Sequence, residues 1–182
     1  MAKNTIVACG KQACDPHCRG SGPIAPHQLI VVDIFPRIEK TGYFGDMSRT
    51  FLKGTPSDAQ SKLVEAVRTA QKKAIATIRE GVITRSIHEN IVHYFDSLGY
   101  QTGIVNGRHE GFFHSTGHGV GLDIHEAPRI STNDVTLKEN MVVTVEPGLY
   151  YPEIGGVRIE DMICVKKQKS KIISNFHYDW IL

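Results

Sequence analysis

Apolar and polar positions alternate along this chain in a way that changes character several times. Thr5 to Ala8 reads as a short strand, and the Gly-, Pro-, Cys- and His-rich stretch up to residue 28 has no period and reads as loop. Leu29-Ile30-Val31-Val32-Asp33-Ile34-Phe35 is an apolar run broken by one acid, the signature of a strand buried on both faces. Pro36 to Gly42 is polar and turn-like, and Tyr43 to Leu52 returns as a second strand, predicting a hairpin. A helical period follows. Ser57 with Gln60 forms a capping box, apolar residues recur at Leu63, Val64, Val67, Ala70, Ala74, Ile75 and Ile78, and Gly81 ends the helix. Ser86 with Glu89 predicts a second capping box, ahead of an apolar face of Ile87, Ile91, Val92, Phe95 and Leu98 that stops at Gly99. Met141 to Glu146 and Gly156 to Val165 read as another strand pair. Hairpin, two helices, strand and hairpin make an α+β fold, with helices packed on one face of a largely antiparallel sheet.

The 182 residues predict one domain with a sizeable core. A net charge of +2 points away from nucleic acid or an anionic membrane as partner. Lys166, Lys167, Lys169 and Lys171 cluster without interleaved aromatics and read as a solvated edge. No apolar run reaches the ~18 residues of a membrane helix. Met-Ala-Lys-Asn-Thr carries no signal-peptide core, so cytoplasm is the expected location. Cys9, Cys14 and Cys18, with His17 among them, raise the idea of a zinc knuckle. Their spacing is not a paired C-x-x-C pattern, and free, partly buried thiols are the better reading.

The chemistry is concentrated elsewhere. His114-Ser-Thr-Gly-His118-Gly-Val-Gly-Leu-Asp-Ile-His125 places three imidazoles on a segment with Gly at every second position from 117 to 121. Such a segment lets a ligand approach the backbone. Asp33 lies inside an apolar strand, Asp46 on the returning strand facing it, Glu146 at a strand end before Pro147, and Glu160 two residues after Arg158. Singly, each acid has an ordinary explanation; Glu160 could pair with Arg158. Four carboxylates in apolar strands cannot gather without cations between them. One or two divalent ions resolve this, and an oxygen-rich shell with one imidazole suits Mn, Co, Fe or Zn. Two such ions share carboxylates ~3.5–4 Å apart and can hold a bridging hydroxide as nucleophile.

The motifs Val-Val-Asp-Ile-Phe, Gly-Asp-Met-Ser-Arg-Thr-Phe, Gly-His-Gly-Val-Gly-Leu-Asp-Ile-His-Glu, Thr-Val-Glu-Pro-Gly-Leu-Tyr and Gly-Gly-Val-Arg-Ile-Glu-Asp span residues 33 to 161. Together they resemble the pita-bread metallopeptidases, which include methionine aminopeptidase, prolidase and Xaa-Pro aminopeptidase. The resemblance implies a creatinase/aminopeptidase-like fold and two divalent metal ions, manganese first among the candidates. It makes Asp33, Asp46, His118, Glu146 and Glu160 the metal ligands, with Asp46 and Glu160 bridging. It makes Glu146 the proton shuttle, His114 and His125 the residues holding substrate and tetrahedral intermediate, and His17 a substrate-side histidine. Arg158 matches an arginine typical of the proline-directed members, so the implied activity is a metallo-exopeptidase acting on Xaa-Pro N-termini or dipeptides. His27, His88, His93, His109 and His177 are expected to be structural or exposed.

Two departures matter. Asp33 and Asp46 are two residues further apart than is usual in that family, an even number that preserves their facing. The chain also lacks the helix pair and strand with which the family's catalytic domain opens, so residues 1–182 are expected to be a catalytic domain shortened at its N-terminus. One sheet face is then expected to expose apolar surface, to be covered by a second copy or by a missing N-terminal segment. The rival readings are a non-catalytic pita-bread module that binds peptides or proteins, a methionine aminopeptidase, and a metal-free hydrolase such as those acting on creatine.

Overall fold

The computed structural model describes residues 4–182. Strands β1 (Ile6–Cys9), β2 (Leu29–Ile34) and β3 (Met47–Leu52) form an antiparallel sheet in that order. Between β1 and β2, where sequence suggested only loop, Gly10–Cys14 makes a short 3-10 turn. Two helices follow, α1 (Asp58–Thr77) and α2 (Thr84–Ser97), and then a small exposed hairpin, β4 (Gly103–Val105) and β5 (Arg108–Glu110). The chain then builds β6 (Gly117–Gly119), β7 (Glu126–Ile130), β8 (Val142–Val145), β9 (Gly148–Tyr151), β10 (Gly155–Arg158), β11 (Asp161–Cys164) and β12 (Lys171–Ile172). Five of these form the antiparallel sheet β12-β11-β8-β6-β7, and β9 and β10 make a separate hairpin. No helix of the described residues is long and apolar enough to cross a membrane.

Local sequence accounts for much of this. Ser57 accepts from the Gln60 amide and Gln60 returns the bond to the Ser57 amide, the capping box expected for α1. Leu63, Val67, Ala70 and Ala74 lie three or four apart on one stripe of α1 and are buried against the sheet around β8 to β10. Gly99 takes φ +83 just past α2, the left-handed residue that ends it. The core joins both helices to Val143, Val145, Leu149, Val157 and Ile163.

Several expectations are corrected. α1 ends at Thr77 rather than at Gly81. α2 begins two residues before the expected cap: Ile83 is its N-cap, and Ser86 sits inside the first turn with its hydroxyl on the Ile83 carbonyl. The Thr84 hydroxyl caps outward to the Asn133 carbonyl instead, a contact from a distant segment. The run from 156 to 165 is two strands, not one. Residues 155–158 pair with β9, and residues 161–164 pair with β8 in the register Asp161↔Val145. Ile159 and Glu160 carry the chain from one sheet to the other.

The register of the first sheet decides what faces the site. Asp33 is opposite Ser48, not Asp46, so Asp46 is the diagonal neighbour, two residues before Ser48. Leu29, Val31 and Asp33 point to one face with Leu52, Thr50 and Ser48 opposite them. The other face carries Val7, Val32, Ile34, Met47 and Phe51, with Val7 38% and Ile34 37% exposed. Phe176 and His177 pack edge-on over Phe51, so the C-terminal segment covers part of that face.

Candidate metal centre

The inner face of the first sheet and the ends of β6, β8 and β10 meet around a cleft of about 1010 Å³. Asp33, Asp46, His118, Glu146 and Glu160 all line it. Among the described residues, Asp46, His118 and Glu160 each offer a donor atom within 4.8 Å of the others. His118 Nε2 lies 3.6 Å from Asp46 Oδ2 and 3.3 Å from Glu146 Oε1. The Nδ1–H of His118 is fixed on the Gly119 carbonyl, so Nε2 is the nitrogen turned to the acids. A Cβ at Gly117 would stand 2.0 Å from the Thr144 carbonyl, so glycine is what lets β6 lie this close to β8. That approach carries His118 to Glu146, whose Oε1 also accepts from Thr144 Oγ1.

The charges cannot all coexist unaided. Burial first, and then the charges of Asp33 and Glu146, push the Asp46 carboxyl up to about 8. Burial first, and then the charges of Asp46, Glu146 and Asp33, raise Glu160, only 2% exposed, well above the carboxylate range. Burial also works against Glu146, but the hydrogen bond from His118 and the charges of His118 and Arg158 outweigh it and hold Glu146 low. The converse holds for His118: burial opposes its protonation, and Glu146 and Asp46 raise it nonetheless. Asp33 Oδ1 is buried with no hydrogen-bond partner. An orphaned carboxylate oxygen beside two acids that burial drives toward protonation is the donor set a divalent cation satisfies. The residues present therefore fit a metal.

Arg158 does not pair with Glu160. Its Nη2 donates to Asp33 Oδ2 at 2.8 Å, its Nε to Ser48 Oγ, and its Nη1 to Tyr150 OH and the Pro16 carbonyl. Ser48 in turn donates to Glu160 Oε2 at 2.8 Å. The guanidinium thus braces Asp33 and, through Ser48, Glu160. Burial pushes the Tyr150 phenol up to about 12 and holds the His114 imidazole down to about 4, so the first stays protonated and the second neutral. His114 Nδ1–H donates to the Ser115 carbonyl, which leaves Nε2 to accept from Tyr150 OH at 2.9 Å.

His125 is exposed at the cleft mouth with its ring edge-on to His118, centroids 4.3 Å apart. His17 is exposed and also lines the cleft. His88, expected to be structural or exposed, lines the cleft from α2 and bonds Thr116 Oγ1 at 2.9 Å. Tyr150, Ser48 and Thr144 were not singled out by sequence reasoning. The alternation of Ser48 and Thr50 on a buried strand is the signal that points to Ser48. The thiols of Cys9, Cys14 and Cys18 are free, each near its own oxygen acceptor from Gln28, Gly10 or Gln12.

Comparison with known proteins places the fold and the family. The Xaa-Pro dipeptidase of Pyrococcus horikoshii is 40% identical over 172 residues, covering 93% of this chain and 46% of that protein. The Xaa-Pro dipeptidase of Lactobacillus helveticus is 37% identical over 180 residues, covering 96% of this chain and 45% of that one. The crystal structure of the Pyrococcus horikoshii prolidase superposes with a TM-score of 0.88 at 37% identity, over 98% of this chain and 49% of that one. X-Pro aminopeptidase from Thermotoga maritima superposes with a TM-score of 0.88 at 32% identity, over 100% of this chain and 49% of that one. The fold is the pita-bread fold, and the chain spans about half the length of these relatives. The sequence profile of metallopeptidase family M24 matches residues 1–167, and the chain belongs to that family.

Proposed function

We propose that this chain carries the metal-binding catalytic centre of an exopeptidase that hydrolyses the bond before proline in Xaa-Pro dipeptides or peptide N-termini. One observation carries the reading: four carboxylates and His118 line one cleft, three of these groups with donor atoms within 4.8 Å of one another, and an Asp33 oxygen is left unpartnered. Asp33, Asp46, His118, Glu146 and Glu160 would hold two divalent ions, manganese first and cobalt, zinc or iron after it. When bound, such ions supply an activated water and polarise the scissile carbonyl.

The chain's own groups do the rest. Glu146, kept ionised by His118, takes a proton from the attacking water and delivers it to the leaving proline nitrogen. His125 is free at the mouth to donate to the developing oxyanion. His114 contributes by exchanging its Tyr150 contact for one to substrate, and His17 closes the substrate side. Arg158 fixes Asp33 and Ser48 in place. The apolar face around Val7 and Ile34 takes a covering polypeptide, either a second copy or a further segment.

The test is hydrolysis by Mn2+-loaded protein of Xaa-Pro dipeptides, Xaa-Pro tripeptides and Met-Ala peptides. Cleavage before proline is expected, and the dipeptide-to-tripeptide ratio sets the subclass. Cleavage of Met-Ala alone would indicate a methionine aminopeptidase. Peptide binding without hydrolysis would indicate a binding module.

A further inference from the structure

Asp161 is fully buried beside Glu160, and the metal site makes no use of it. Its Oδ1 accepts from Arg49 Nη2 at 2.8 Å and from Ser174 Oγ; its Oδ2 accepts from Gln71 Nε2 at 2.7 Å and Tyr178 OH at 2.8 Å. Four donors on one buried carboxylate fully satisfy it and fix its position. Arg49 lies on β3 between Ser48 and Thr50, which face inward, and its side chain turns to the opposite face. From there its Nη1 reaches the Glu160 and Ser48 carbonyls, while Nε and Nη2 donate to the His177 and Phe176 carbonyls. The Arg49 guanidinium also stacks over the Tyr178 ring, 4.4 Å from its centroid.

The Glu160 backbone is thereby held at both ends. Its N–H donates to the Ser48 carbonyl at 3.0 Å and its C=O accepts from Arg49. Glu160 sits where the chain crosses between two sheets, so no continuous strand ladder holds it. Besides the bonds to Ser48, the grip on its carbonyl comes from Arg49, and Arg49 is held by Asp161 and by residues 174–178. That segment lies beyond residue 167, where the family match ends.

We infer that the C-terminal segment Ser174–Tyr178, through Asp161 and Arg49, positions the Glu160 carboxylate for divalent-metal binding. The inference rests on the proposed role of Glu160 as a ligand. Tyr178 and Ser174 touch no cleft atom; they act through Asp161 and Arg49 on the Glu160 main chain. Partners behind a metal ligand commonly alter affinity by 10–100-fold when removed.

The experiment titrates Mn2+ calorimetrically into the wild-type chain, the double variant Ser174→Ala/Tyr178→Phe, and Leu137→Ala. Leu137 is fully buried outside this network and serves as a stability control. Thermal unfolding of each metal-free protein is measured alongside. The double variant is expected to bind Mn2+ ~10-fold more weakly with an unchanged far-ultraviolet spectrum. Leu137→Ala is expected to lose stability and keep its affinity. Unchanged affinity in the double variant would overturn the inference, as would an equal loss in Leu137→Ala. No Mn2+ binding by the wild-type chain would instead overturn the metal-centre reading itself.

Discussion

Stripping metal from this protein should make its stability depend on pH in a direction the acid cluster dictates. Burial and the Asp33 and Glu146 charges push Asp46 up to about 8, whereas an unfolded aspartate titrates near ~3.9. The metal-free native state therefore keeps a proton that the unfolded chain has released. Stability from this group is complete below the unfolded value and is lost as pH rises through about 8. From pH ~6.5 to ~8 the slope is ~1.4 kcal/mol per unit, so Asp46 alone removes ~2 kcal/mol. Glu160 and His118 are both raised and act with the same sign. His88, His114 and His125 are all lowered by burial and so act with the opposite sign, but their gain is nearly complete about one unit above the unfolded value of ~6.5. It offsets part of the loss and leaves Asp46, Glu160 and His118 to set the net direction. A loss of this size is a large share of a typical ~5–15 kcal/mol. Urea unfolding of chelator-treated protein, followed by the fluorescence of Trp180, measures it across the window. Saturating Mn2+ should flatten the dependence and raise the midpoint, and Asp46→Asn should lessen the dependence without metal. Equal metal-free stability at the two ends, or an Asp46→Asn variant as pH-sensitive as the parent, would refute the reasoning.

Gly117→Ala would drive a Cβ into the Thr144 carbonyl; separating β6 from β8 should cost ~2–4 kcal/mol, read as a lowered urea midpoint, and weaken Mn2+ binding. Arg158→Lys keeps the charge but loses the fork that bonds Asp33, Ser48 and Tyr150 together. It should lower kcat by ~10-fold or more while the protein stays folded, measured by steady-state hydrolysis and circular dichroism.

The elements most legible in the sequence were those set by local chemistry. The α1 capping box closes on itself within four residues, and Gly99 ends α2 by its own conformational freedom. The α2 start was misread because Thr84 is tied to Asn133 and Val135, contacts fifty residues away that outweigh the local Ser86–Glu89 signal. The acids were recognised as a set because each is costly in an apolar strand without a partner. Their mutual geometry was not legible, since it depends on the Asp33↔Ser48 register and on the sheet crossing at Glu160. The spacing of Arg158 from Glu160 suggests a pair, yet its partner is Asp33, 125 residues away along the chain. His88 looked like one more helix-surface histidine, because nothing in α2 alone reveals that this face borders the cleft.

Anomalous diffraction from crystals soaked in Mn2+ tests the central claim most directly. Two peaks, one touching His118 and both touching Asp46 and Glu160, are the expected result. Peaks confined to surface carboxylates, with none among Asp33, Asp46, His118, Glu146 and Glu160, would contradict it.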